Sequence, residues 1–81
     1  MSNNDNLVRM ANQIGHFFES QPDRNEGLEG LANHLKKFWD PRMRKKLIAM
    51  FDAKQTEQFS DIVKAAMEKH RSMLISGFEA K

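Results

Sequence analysis

The chain has 81 residues, with 13 lysines and arginines against 11 aspartates and glutamates, a net charge of +2, no cysteine and a mean hydropathy of −0.71. A chain this short makes one small domain whose core supplies only ~3–5 kcal/mol, and lack of cysteine removes disulfides and thiolate metal sites as added support, which leaves a partner chain. The N-terminal Met1-Ser2-Asn3-Asn4-Asp5-Asn6 has no basic flank leading into an apolar run, and no apolar stretch approaches the ~20 residues of a membrane span, so the expectation is a soluble cytoplasmic protein without a membrane partner.

Residues 1–5 are polar and expected to be disordered, with Asn4 or Asp5 able to cap a first helix. Leu7, Met10, Ala11, Ile14, Phe17 and Phe18 follow at i, i+3, i+4, i+7, i+10 and i+11, one face of an amphipathic helix. Ser20-Gln21-Pro22 ends it, because proline biases its predecessor away from helical geometry. Asp23 and Glu26 resemble a capping box for a second helix over 24–38, whose inner face carries Leu28, Leu31, Ala32, Leu35 and Phe38. Gly27 and Gly30 lie inside it, each costing roughly 1 kcal/mol of helix propensity relative to alanine. They mark either a poorly optimised exposed turn or a place where another backbone approaches closely.

Asp40-Pro41 predicts a new start, with aspartate as cap and proline at the first helical position, where its missing amide hydrogen costs nothing. Met43, Leu47, Met50 and Phe51 line a third helix to about 52. A polar linker follows, with Thr56 as the expected cap of a fourth helix. Phe59, Ile62, Val63, Ala66, Met67, His70, Met73 and Leu74 mark that helix, about 18 residues long, and Gly77 ends it. The fold class is therefore all-α, a small bundle of three to four helices forming a single domain over 6–75, with 76–81 as a mobile tail.

No catalytic constellation stands out. Ser20, Ser60, Ser72 and Ser76 fall in linkers or on polar faces without an accompanying histidine pattern, and nucleophilic catalysis needs a base beside the nucleophile. His16, His34 and His70 have no HxxxH spacing of a zinc site. His70 reads as a half-core residue, and His16 as a partner of the negative end of the first helix. Met10, Met43, Met50, Met67 and Met73 all fit inward positions. No catalytic, metal or cofactor-binding residue is expected.

The segment His34–Lys46 differs. It holds the only tryptophan, one of two prolines and six of the 13 lysines and arginines. Arg42, Arg44 and Lys45 lie in or near the first turn of the third helix, where the helix dipole disfavours cations. They are expected to meet anions, either Glu26 and Glu29 of this chain or groups on a partner. Tryptophan and arginine are also frequent at binding hot spots. The expected partner surface is His34, Lys37, Phe38, Trp39, Asp40, Pro41, Arg42, Arg44 and Lys45. Trp39 has a second reading as a lid on the core at the corner between helices.

Leu7-Val-Arg-Met-Ala-Asn-Gln-Ile-Gly15-His-Phe-Phe18 together with Leu31-Ala-Asn-His-Leu-Lys-Lys-Phe-Trp-Asp-Pro-Arg-Met-Arg44 resembles the delta subunit of soluble NAD-dependent formate dehydrogenases. The resemblance covers roughly 6–52, and its FWDPRMR string is the specific part. The last third departs from the family's glycine-rich link before its final helix, since Ala53-Lys-Gln-Thr-Glu57 has no glycine. The resemblance implies a non-catalytic accessory subunit of a cytoplasmic molybdenum- or tungsten-dependent complex. In that family, larger subunits carry the pterin, iron–sulfur clusters, flavin and NAD site, while the delta chain carries no cofactor. The implied partner is the large catalytic subunit of formate dehydrogenase, and the implied role is its stabilisation or assembly, or service during pterin insertion.

The alternative from another class is a small basic helical nucleic-acid-binding protein with the third helix in a groove. The modest net charge and Asp40 within the patch speak against it. Self-association is left open.

Overall fold

The computed structural model describes residues 3–75. Five helices follow in order: α1 (Asn3–Glu19), α2 (Arg24–Phe38), α3 (Pro41–Asp52), α4 (Asp61–Lys69) and α5 (Arg71–Ile75). No strand occurs among the described residues, so the protein is all-α. The expected helix stop at Gly77 lies outside the described residues.

Local chemistry accounts for most boundaries. Asp23 caps α2 by accepting from the amides of Asn25 and Glu26 at 2.8 and 3.4 Å. Asp40 caps α3 by accepting from the Arg42 amide at 2.8 Å, with Pro41 at the first position. Proline also holds Asp40 extended, at φ −55° and ψ 140°, which turns the chain between α2 and α3. At the end of α1, Ser20 Oγ donates to the Phe17 carbonyl at 2.8 Å. Helix α1 begins at Asn3, ahead of the cap expected at Asn4 or Asp5.

Three expectations are corrected. The fourth helix is divided at His70, which closes α4 at φ −116° and ψ 30° while its carbonyl accepts from the Leu74 amide in α5. Neither proline nor glycine marks that bend, so the apolar spacing ran straight through it. Thr56 is not the cap of α4; the helix starts at Asp61 after Ser60, whose hydroxyl makes no capping bond. Asn12 of α1 holds this entry instead, donating to the Gln58 carbonyl at 2.9 Å and accepting from the Ser60 amide at 2.8 Å. The buried set of α1 is Leu7, Val8, Ala11 and Gly15; Met10 and Phe17 are 40% and 64% exposed.

Helix α2 is central, packing on α1, α4 and α5, while α3 packs on α1 and α5. Leu31, Leu35, Leu47, Ile62, Val63 and Leu74 are fully enclosed. Phe59, in the loop before α4, is also buried and lies 4.9 Å from Phe51, ring centre to ring centre. Two links tie the periphery together: Lys69 Nζ donates to Asn25 Oδ1 at 2.8 Å, and Arg71 pairs with Asp52 at 2.8 Å.

The glycines of α2 are close-approach positions. A Cβ on Gly27 would lie 2.8 Å from the Phe18 carbonyl oxygen, and one on Gly30 would lie 2.6 Å from the Phe18 ring. The Phe18 oxygen also accepts from the Gln21 amide at 3.2 Å, so it cannot move without loosening the end of α1. Gly27→Ala gains about 1 kcal/mol of helix propensity, but forcing a methyl against backbone costs ~1–3 kcal/mol. The expected result is a lower melting temperature by circular dichroism. A raised one would show that α1 does not press on α2 there.

Candidate functional site

Four rings run in a row across the open side of the α1–α2 pair. Phe17 meets Phe18 edge-on, with centres 5.0 Å apart and planes at 88°. Phe18 meets His34 at 6.2 Å and 65°, and His34 meets Phe38 at 4.9 Å and 46°. The two inner rings are half-buried, whereas the end rings are open to solvent, Phe17 at 64% and Phe38 at 72%. A groove of about 390 Å³ lies alongside, lined by Gln13, Ile14, Phe17, Phe18 and His34.

This row follows from helix geometry. Gly27, Gly30, His34 and Phe38 occupy one strip of α2, and the two glycines let the end of α1 settle on it. Adjacent residues on a helix cannot share a face, so with Phe18 turned onto Gly30, Phe17 must point elsewhere. That signal was available in the sequence as the Phe17-Phe18 pair, but the apolar spacing counted both as core. Phe38 is a further correction: the spacing predicts it on the inner face of α2, but Leu35 and Trp39 fill that place and Phe38 is exposed.

The nine expected surface residues divide into outer and inner groups. His34, Lys37 and Phe38 lie on the open side of α2, where His34 and Lys37 are helical neighbours at i, i+3. Asp40, Pro41, Arg42 and Lys45 are exposed around the start of α3. Arg42 lies 4.0 Å from its own cap residue Asp40, with both side chains largely in water. Trp39 and Arg44 point inward. Trp39 closes α2, its amide donating to the Leu35 carbonyl at 3.1 Å, and its side chain is 6% exposed within the core. Arg44 is 8% exposed, and its Nη1 donates to the Leu74 carbonyl of α5 at 3.4 Å. The cation read as unfavourably placed at a helix start therefore reaches across to the last described helix. Helix C-terminal carbonyls attract cations, which offsets part of the burial.

Positive charge borders this region. Asp40 is the sole carboxylate between Glu29 and Asp52, and there is none between Asp5 and Glu19. Among the described residues, Lys36, Lys37 and Lys46 form no ion pair within 4 Å.

Other concavities offer less. A hollow of about 510 Å³ has Phe51 and Met67 in its floor and Lys54, Lys64, Glu68 and Arg71 at its edge. Asp52 engages Arg71 there. His16 faces Glu19 at 3.6 Å, and His70 occupies the bend between α4 and α5. Among the described residues, no group of three His, Cys, Asp or Glu side chains could hold a metal ion, and no helix is long and apolar enough to cross a membrane.

The fold and this surface define a small helical protein with an aromatic, cation-edged face. The chain belongs to the formate dehydrogenase delta-subunit family: residues 6–67 match FdsD, described as NADH-dependant formate dehydrogenase delta subunit. The match runs past α3 and takes in most of α4, so the missing glycine link before the last helices does not remove that region from the family. No curated protein and no solved structure matches the chain.

Proposed function

We propose that the chain is a non-catalytic accessory subunit of a cytoplasmic, molybdenum- or tungsten-dependent NAD-linked formate dehydrogenase, binding the large catalytic subunit and stabilising or helping assemble it. The family match over residues 6–67 carries this reading. The exposed rings of Phe17 and Phe38 support it, since large aromatics open to water on a small domain mark an interaction surface. In this reading the contact uses the outer residues of the 34–45 segment: His34, Lys37, Phe38, Asp40, Pro41, Arg42 and Lys45. Trp39 and Arg44 shape that surface from within.

The test is to produce the large catalytic subunit with and without this chain. Omitting the chain is expected to reduce the soluble, cofactor-loaded large subunit severalfold, with formate oxidation per cell falling in step. The chain alone should contain no stoichiometric metal or flavin and oxidise no formate. Equal yield and activity in its absence would contradict a stabilising or assembly role, and formate oxidation by the chain alone would contradict a non-catalytic one.

A further inference from the structure

We infer that the α1–α2 groove is the seat of an acidic amphipathic helix of the large subunit, whose apolar residues rest on Phe17, His34 and Phe38 and whose carboxylates meet Arg9 and Lys37. This deepens the proposed function and rests on it.

The apolar half of the argument is geometric. Ile14, Phe17 and Phe18 of α1 and His34 of α2 line a groove between the two helices, and a recurring occupant of such a groove is an amphipathic helix with anchors at i, i+3/i+4 and i+7. Phe17 and Phe38 stand at the two ends of the ring row, so they would grip such a helix from either side. Gln13 lines the groove, and Arg9, Gln13 and His16 fall at i, i+4 and i+7 on one side of α1. On α2, Lys37 stands one turn from His34.

Charge selects the occupant. Neither Arg9 nor Lys37 forms an ion pair among the described residues, and α1 has two acids, Asp5 one turn before Arg9 and Glu19, which faces His16 at 3.6 Å, so no carboxylate of α1 lies between Arg9 and His16. The trough is thus apolar with cationic edges. A second copy of the chain is disfavoured there, because a two-fold contact sets each patch against itself and brings Arg9 and Lys37 toward their own equivalents. An acidic segment gains from the same charges, both in approach rate and in register.

The experiment uses the chain with the large subunit. Three forms are compared: the native chain, the Phe17→Ser and Phe38→Ser double variant, and the Arg9→Glu and Lys37→Glu double variant. All four positions are exposed, and each form is first checked to melt close to the native chain. Removing both ring ends should weaken binding by roughly 30-fold or more, as expected for aromatic hot spots. Charge reversal should slow association about tenfold at low salt and flatten its salt dependence. Benzoylphenylalanine placed at position 38 should crosslink, on irradiation, to a carboxylate-rich helical segment of the large subunit. Native-like binding by both variants, or a crosslink confined to a second copy of this chain, would overturn the groove assignment while leaving the proposed function in place. Failure of the native chain to bind the large subunit would overturn both.

Discussion

Leu31→Asp is expected to abolish folding of the isolated chain, while Phe17→Asp should leave it folded. Both positions carry apolar residues on the spacing of their helices, and the sequence alone predicts the same outcome for both. The structure separates them: Leu31 is fully enclosed and Phe17 is 64% exposed. An unpaired carboxylate at Leu31 costs several kcal/mol, comparable with the ~3–5 kcal/mol that a core of this size supplies. At Phe17 the change removes little burial and places a negative charge in the last turn of α1, a penalty of ~0.3–1 kcal/mol. Far-ultraviolet circular dichroism with a thermal melt distinguishes them. A cooperative melt near native for Leu31→Asp would mean that the core is wrongly assigned.

The second large effect concerns the residues read from sequence as grips for a partner. Trp39→Ala should lower stability by ~3–5 kcal/mol, the usual range for emptying a large aromatic site. At ~4–8 °C per kcal/mol for a domain of this size, melting should fall by more than 10 °C. Arg44→Glu should be comparably damaging, because it puts a carboxylate at an 8% exposed site facing the Leu74 carbonyl, where an N–H donor now lies. Arg42→Glu is the control, since Arg42 is in water and an acid suits the start of α3. It should melt within a few degrees of native. Equal, small effects at 39, 42 and 44 would place all three at the surface.

These contrasts show what was legible in the sequence. The limits of α2 and α3 could be read because Asp23, Asp40 and Pro41 act through their own neighbours, as caps and a fixed dihedral angle. The inner faces of α2 and α4 were largely legible too, since Leu28, Leu31, Leu35, Ile62, Val63 and Met67 repeat at helical spacing and are buried. What escaped depends on contacts between distant segments. The bend at His70 has no local breaker, and Asn12 secures the loop before α4 across nearly fifty residues. Val8 is buried and Phe17 is not because the glycines of α2 draw Phe18 in and fix how α1 is turned.

The 34–46 segment stands out in the sequence for its tryptophan and its dense charge, yet two of its most conspicuous residues, Trp39 and Arg44, are buried and serve the fold. Trp39 sits where α2 ends, and tryptophan at such a corner has the volume to close the core above Leu35. Burial of Arg44 could not be inferred from charge, because its acceptor lies thirty residues away on α5. The exposed aromatic row, by contrast, joins His34 and Phe38 of that segment to Phe17 and Phe18 of α1. Its signal in sequence was the adjacent phenylalanine pair together with an acid-free first helix beyond Asp5 and before Glu19.

Co-purification tests the central claim most directly. A tagged copy of the chain, produced alongside the formate dehydrogenase subunits and treated with nuclease, is captured and washed at high salt, and the retained proteins are identified by mass. The account predicts that the large catalytic subunit stays bound at a defined ratio, because apolar contacts survive salt that screens the charged edge. Retention of nucleic acid at low salt that is lost with the wash, with no large subunit at either stage, would contradict it.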